Sequence, residues 1–185
     1  RAILMRDEFY STTAKQGLVR TPIEYLAAIA YHTGLIPDPS TVPPGQPERG
    51  DVVDPLGISW RGESTGQQLY HPPNVSGWRP NGYWLSTGAL SGRAAFAQSV
   101  AWRLQQPGQH FAEGEPGDLA IREGTPSAAV DHVAAYFGLS SLSPTSRNAI
   151  LTTHAADRNS TPWWAWYTVG NLLTITLLAP EFHVA

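Results

Sequence analysis

A hydroxyl residue followed by proline precedes an apolar run at four places, and this pattern constrains the fold more than any other feature of the chain. A Ser or Thr oxygen can accept an unpaired amide at a helix N-terminus, and proline at the first helical position loses nothing by lacking an N–H. Each pair therefore predicts the start of a helix. The pairs are Thr21-Pro22, Thr125-Pro126, Ser143-Pro144 and Thr161-Pro162.

The helix limits follow from apolar spacing and from the glycines that come after it. Glu24 completes a capping box with Thr21, and Gly34 ends that helix. Ser86 caps another helix, on which Leu90, Ala94, Ala97, Ala101 and Leu104 recur at helical spacing. The predicted helices are 2–10, 22–33, 64–70, 86–104, 126–137 and 144–156.

The run Pro162–Ala179 contains no charged residue over eighteen positions, which is long enough to raise the question of a membrane span. On a helix its apolar side chains point in all directions, which indicates burial on every side. Asn171 and three threonines dilute the hydrophobicity, so we expect a central helix of a core and no membrane span. The segments 34–50 and 106–124 are rich in Pro and Gly, so we expect them to be irregular connections. The sequence therefore predicts an all-α fold in which residues 1–185 form one domain, an irregular helical bundle.

Composition excludes several classes of function. The 12 basic residues are scattered and the formal net charge is −3, so the sequence has no basic patch for nucleic acid. The chain has no cysteine, which removes thiolate catalysis and cysteine-ligated zinc. The six histidines lack the His-x-x-x-His spacing, and no Gly-x-Ser-x-Gly elbow occurs. We expect no metal and no cofactor, and the sequence favours a non-enzymatic role.

Residues 66–78 (GQQLYHPPNVSGW), the motif loop, combine stiff and permissive backbone with polar side chains. Pro72-Pro73 sets an extended backbone, Asn74 can bond its own backbone two residues on, and Gly77 can take a positive φ. In one interpretation the loop fills the core with Tyr70, Val75 and Trp78, while its amides satisfy the backbone. In the other it lines a pocket for a sugar or peptide with Gln67, Gln68, His71 and Asn74 above the Trp78 indole.

The motif loop, together with Trp84-Leu85-Ser86 and Arg93, resembles the bacterial family known as domain of unknown function 1800. Two further segments are similar to that family: Arg20–Glu24, and the closing stretch Leu177–His183, where His183 stands in place of the usual Gln. The resemblance covers the C-terminal half of longer members. It implies that this chain is the C-terminal lobe of a larger protein.

The resemblance also implies export to the periplasm or the exterior, and it supplies no reaction. Members are often encoded beside an exported sulfatase-like protein, which is one candidate partner. The N-terminal lobe of the same protein, a glycan and a peptide are the other candidates.

We therefore predict an exported binding or scaffold module whose working surface joins the motif loop to the helix start at Ser86. The alternative is a hydrolase of envelope or polysaccharide material, with His71 and a loop carboxylate as acid and base. The tryptophan-rich run 163–167 favours packing, with carbohydrate stacking or membrane-surface anchoring as alternatives. Arg93 is expected to be a structural clamp within that surface. We expect Tyr70, Val75 and Trp78 to anchor this surface and Gln67, His71 and Asn74 to face the partner. The candidate binding residues are Gln67, Gln68, His71, Asn74, Trp78, Trp84 and Arg93.

Overall fold

The computed structural model describes residues 17–35, 57–160 and 165–184, and the side chains of residues 160, 165 and 166 lie outside that description. Within these ranges the fold is all-α, as the sequence predicts, with seven α-helices and no strand beyond an isolated bridge between Val19 and Val184. Short 3-10 segments cover Asn81–Leu85 and Pro180–His183. The α-helices are α1 (Pro22–Thr33), α2 (Ile58–Ser64), α3 (Thr87–Leu104), α4 (Pro116–Glu123), α5 (Pro126–Tyr136), α6 (Pro144–Ser160) and α7 (Ala165–Leu177).

The hydroxyl–proline pattern is confirmed at three of its four positions. Thr21 and Thr125 accept the amides of the residues three positions on, at the starts of α1 and α5. Ser143 Oγ accepts the Ser146 amide in the same way at the start of α6. The fourth pair, Thr161-Pro162, lies outside the described residues, as does the predicted helix 2–10. Local capping chemistry thus sets where these helices begin.

Several predicted helix limits differ from the observed ones. Helix α6 continues to Ser160, four residues beyond its predicted end. The helix predicted over 64–70 is wrong, because α2 ends at Ser64 and the motif loop follows at Gly66. Helix α4 forms inside the segment 106–124, which the sequence predicted to be irregular. Leu90, expected on the apolar side of α3, is exposed, and the buried face turns toward Phe96 and Val100.

Helix α7 is the central helix of the described fold. It packs against α3, α4, α5 and α6, and Val169, Leu172 and Leu173 are fully buried. The prediction of burial on every side is therefore correct for most of the described helix but wrong at Tyr167, which is half exposed. Across the described ranges, no helix has the length and apolar character needed to cross a bilayer. Helix α1 packs on α2 and α3, and this end of the core carries the motif loop.

Candidate functional site

Gln67, at the start of the motif loop, caps helix α1 from across the sequence. Its Oε1 accepts the Ile23 amide at 2.9 Å, and its side chain is buried. The Glu24 amide is taken by the Thr21 hydroxyl, and Pro22 has no N–H to satisfy. Each backbone N–H at the first three positions of α1 therefore has a hydrogen-bond acceptor, or is absent at Pro22. Gln67 faces inward, so the expectation that it faces a partner is wrong.

Trp84 is the buried indole that anchors the segment after the motif loop. It lies on the 3-10 turn Asn81–Leu85 and is only 1% exposed. The Tyr83 ring meets it edge-on at 5.0 Å, and the half-buried Trp78 ring lies against it at 6.0 Å. Ser86 then caps α3 through the Ala89 amide. The motif loop is thus fixed at its far end by Trp84, with Trp78 as a second layer.

Arg93 on α3 joins two segments that are distant in sequence. Its guanidinium donates to Arg20 O at 2.6 Å and to His183 Nδ1 at 2.7 Å. It also lies 5.0 Å from the centre of the Tyr25 ring, which stacks on His183 at 5.0 Å. Arg20 completes the junction by donating to Phe182 O at 2.8 Å. These contacts agree with the expected role of Arg93 as a structural clamp.

Arg93 buries its positive charge without a carboxylate partner in the described part of the chain. Arg93 is fully buried, its Nε has no partner there, and burial lowers the pKa of its guanidinium. Burial, followed by the charge of Arg93, lowers the pKa of His183 to about 4, although a hydrogen bond with the Leu178 backbone opposes this. Burial also raises the pKa of Tyr25. His183 is therefore neutral at physiological pH, and its Nδ1 accepts from Arg93.

Gln67, Trp84 and Arg93, together with Arg20, Tyr25 and His183, form what we call the buried frame. Three segments that carry the sequence resemblance meet there: the start of α1, the motif loop with its continuation to Arg93, and the closing stretch at His183. The resemblance is therefore concentrated at a structural junction. Three of the seven candidate binding residues belong to this junction and are buried.

The motif loop beyond Gln67 has a defined backbone that faces outward. Tyr70 takes a left-handed conformation at φ 63°, in a turn closed by the His71 amide on Gln68 O at 3.2 Å. Asn74 Oδ1 accepts the Ser76 amide at 2.9 Å, and Asn74 O accepts the Gly77 amide at 3.0 Å. The self-bonding turn predicted at Asn74 is therefore confirmed, and it orders the chain after Pro73 without burying it.

The expected anchoring role of Tyr70 and Val75 is wrong. The Tyr70 side chain is 93% exposed, and Val75 is fully exposed. Leu69, Tyr83 and Leu85 add further exposed apolar area on the same segment. The positive φ of Tyr70 explains part of this, because the turn directs the residue away from α1 and α3. Gln68, His71 and Asn74 are exposed, as a surface role requires, whereas Trp78 is half-buried.

Sequence reasoning missed three residues of the junction: Arg20, Tyr25 and His183. Arg20 and His183 belong to the two segments that resemble the family outside the motif loop, and that resemblance was the available signal. Tyr25 carries no special signal, because an aromatic residue on an apolar helix face is typical of a core. Its contacts with Arg93 and with Leu177 O at 3.0 Å appear only in the folded chain.

The described ranges contain no group of three His, Asp or Glu side chains placed to hold a metal ion. His110 and His132 come together, with ring centres 5.7 Å apart, but Tyr136 and Phe111 surround them as stacking partners. The pKa of His132 is lowered by burial and by His110. This pair is therefore part of an aromatic cluster that joins the segment before α4 to α5.

A model of the family described as "Protein of unknown function (DUF1800)" matches residues 1–184. Searches of curated proteins and of solved structures each returned no match. The matched range includes the buried frame and the motif loop, so both belong to the part of the chain that defines the family. On this match, the chain belongs to the DUF1800 family.

Proposed function

We propose that this chain is an exported helical binding module whose motif loop docks a protein partner. The observation that carries the proposal is the exposure of Tyr70 and Val75 on a loop whose two ends are held by the buried frame. Several exposed apolar side chains on one segment are more typical of an interaction site than singly exposed residues are. Tyr is also among the residues that supply most of the binding energy at protein interfaces.

The ordered backbone of the motif loop supports docking because it reduces the entropy lost on binding. The turns at Gln68–His71 and Asn74–Gly77 are closed by backbone hydrogen bonds of 3.2 and 3.0 Å. Tyr70 holds a conformation that costs a non-glycine residue about 1 kcal/mol or more. A loop that keeps such a conformation fixes the backbone from which the Tyr70 side chain projects before the partner arrives.

The shape and chemistry of the surface favour a protein over a small molecule. Tyr70 and Val75 project outward, and a groove between α3 and α7 shares no lining residue with them. Tyr83 and Leu85 extend the apolar area, and Arg79 lies over the Tyr83 ring at 5.4 Å. An apolar centre with a cationic edge is typical of the core and rim of a protein interface. By family resemblance, the partner is the exported sulfatase-like protein encoded beside members, and export rests on the same resemblance.

The test is a binding measurement by biolayer interferometry between the purified chain and a sulfatase-like protein of the kind encoded beside family members. Tyr70→Ala should raise Kd by about tenfold or more, as at an interface hot spot, and Val75→Asp should weaken binding further. Tyr31→Ala is the matched control, because Tyr31 is 80% exposed on α1, outside the motif loop. Equal binding by wild type, Tyr70→Ala and Val75→Asp would contradict the proposal.

The hydrolase alternative lacks a supporting observation. An acid–base centre at His71 needs a carboxylate within hydrogen-bond reach in a concave site. Among the described residues, the His71 side chain makes no hydrogen bond or ion pair, and it stands exposed on the outer loop. We therefore propose the binding role alone.

A further inference from the structure

A groove between α3 and α7 has the lining of a sugar-binding site. Its volume is about 190 Å³, small for a drug-sized ligand and suited to a single sugar ring. It shares no lining residue with the motif loop, so its use would be independent of protein docking there. The side chains that matter here are those of Gln98, Trp102, Gln105, Tyr167, Asn171 and Thr174.

Each helix contributes one exposed aromatic ring to the groove. Trp102, near the end of α3, is 60% exposed, and Tyr167, in the first turn of α7, is half exposed. A pyranose ring has one face made of C–H groups, which packs on an aromatic face and excludes water from both. Trp and Tyr suit such contacts because they combine a large apolar face with a polar group at the edge.

Hydrogen bonds within the fold leave acceptor atoms facing the groove. Gln105 Nε2 donates to Ala101 O at 2.9 Å, and Asn171 Nδ2 donates to Asp157 Oδ2. Thr174 Oγ1 donates to Gly170 O at 2.8 Å. These bonds use one N–H of each carboxamide and the Thr174 hydroxyl proton, while the carboxamide oxygens of Gln105 and Asn171 retain acceptor capacity and each carboxamide keeps a second N–H. Sugar hydroxyl groups are the donors that such acceptors would take.

Gly170 allows the Gln105 carboxamide to lie against α7. A Cβ at position 170 would stand 2.7 Å from Gln105 Nε2, which is too close for ordinary contact. The absence of a side chain therefore places the carboxamide at the floor of the groove, where its hydrogen bond to Ala101 O fixes it. The polar floor is built by backbone and by neighbouring side chains, and so it is present before a ligand binds.

We propose that this groove binds one neutral sugar residue of a glycan, stacked on Trp102 and bonded through its hydroxyl groups to Gln98, Gln105 and Asn171. None of the lining side chains carries a formal charge, so no cation is in place for a uronic acid or a sulfated sugar. Gln98 is exposed on α3 and supplies both a donor and an acceptor. The aromatic rings give affinity, and the carboxamides give orientation.

The experiment is isothermal titration calorimetry of the 185-residue chain with cellohexaose, xylohexaose and mannohexaose, and with pentagalacturonate as the charged comparison. At least one neutral oligosaccharide should bind at millimolar concentration or below. Trp102→Ala should weaken that binding by about tenfold or more, and Gln98→Ala by less. Trp60→Ala is the matched control, because Trp60 on α2 is 58% exposed and lies outside the groove, and it should leave Kd unchanged.

A second readout locates the site without mutation. On titration with the binding oligosaccharide, the side-chain amide signals of Gln98, Gln105 and Asn171 should shift in ¹⁵N-correlated NMR spectra.

Trp102→Phe, which keeps a ring on α3, replaces Trp102→Ala if that variant does not fold. It should bind the oligosaccharide more weakly than wild type. The proposal is overturned if no neutral oligosaccharide binds, if only pentagalacturonate binds, or if Trp60→Ala and Trp102→Ala lose affinity equally.

Discussion

The two parts of the signature segment behave in opposite ways. Gln67, Trp84 and Arg93 point inward. The Gln67 side chain accepts the Ile23 amide, and the Arg93 side chain donates to the Arg20 carbonyl. Tyr70 and Val75 point outward and contact solvent. Both sets lie within 27 positions of one another in the printed sequence.

A residue can belong to a family pattern because it holds the fold together or because it binds a partner. The buried frame holds three chain segments together, and its residues are needed for folding. The exposed residues have few contacts to lose, and binding is the role that we propose for them. Mutations in the two sets should therefore give different phenotypes, and the size of the stability loss is the first quantity that distinguishes them.

Trp84→Ala should produce the largest loss. Removing a buried indole typically lowers the free energy of unfolding by about 3–5 kcal/mol. Urea denaturation of the variant measures this loss. Trp78→Ala should cost less, since that ring is half-buried against Trp84. A Trp78→Ala loss equal to that of Trp84→Ala would move the anchor of the motif loop to Trp78.

Acid should destabilise the frame through His183. The pKa of this residue is about 4 in the folded chain, against about 6.5 in the unfolded chain, so the unfolded state binds the proton first. The free energy of unfolding should therefore fall as pH drops from about 6.5 to about 4, by about 3 kcal/mol at most from this residue. Denaturation midpoints across this pH range measure the effect.

His183→Gln tests the origin of that pH dependence. Gln can still accept from Arg93 through its side-chain oxygen but cannot be protonated in this range. Burial also lowers the pKa values of His32, His132 and His154, and these add the same slope to both proteins. The difference between the two curves isolates His183. Superimposed slopes for wild type and His183→Gln would rule out its proposed contribution.

Gln67→Ala should lower the free energy of unfolding by about 1 kcal/mol, because the Ile23 amide then loses its partner at the start of α1. Gln68→Ala is the matched control: the same change at the next position, where the side chain is exposed, should stay within about 0.5 kcal/mol of wild type. Thermal melts followed by circular dichroism compare the pair. Equal losses would mean that the long-range cap contributes nothing.

Tyr70 variants should show the smallest changes. Tyr70→Gly should be more stable than Tyr70→Ala by about 0.5–1 kcal/mol, because glycine takes the positive φ without strain. Both should remain close to wild type, since the ring makes few contacts to lose. A large destabilisation by Tyr70→Ala would place Tyr70 in the frame and remove the distinction between the two sets.

The parts of the fold that sequence predicted well depend on neighbouring residues. Thr21, Thr125 and Ser143 each bond an amide three residues on, so their chemistry can be read from a short window. Helix α4 was missed because its surroundings are rich in Gly, Pro and acidic residues. Its start at Pro116 carried the same proline signal, but Glu115 precedes it without a side-chain cap.

The site was predicted less well because its contacts span long sequence separations. Arg93 reaches His183 across 90 positions and Arg20 across 73, and no periodicity reports such pairs. Residue type also misled at Tyr70 and Val75, because an apolar side chain indicates burial only when the backbone turns it toward the core. The direction of a turn at Tyr70 depends on a positive φ that a tyrosine seldom adopts.

His183 is the last residue of the junction to be synthesised, so the junction can form only late in synthesis of the chain. Helices such as α1 and α3 can form as soon as they leave the ribosome, but Arg93 has no imidazole to bind until residues 181–184 have emerged. Contacts of such long separation close late and slow the final step of folding. Until then Arg93 lacks its imidazole partner, and a chain truncated before residue 181 could not form that contact.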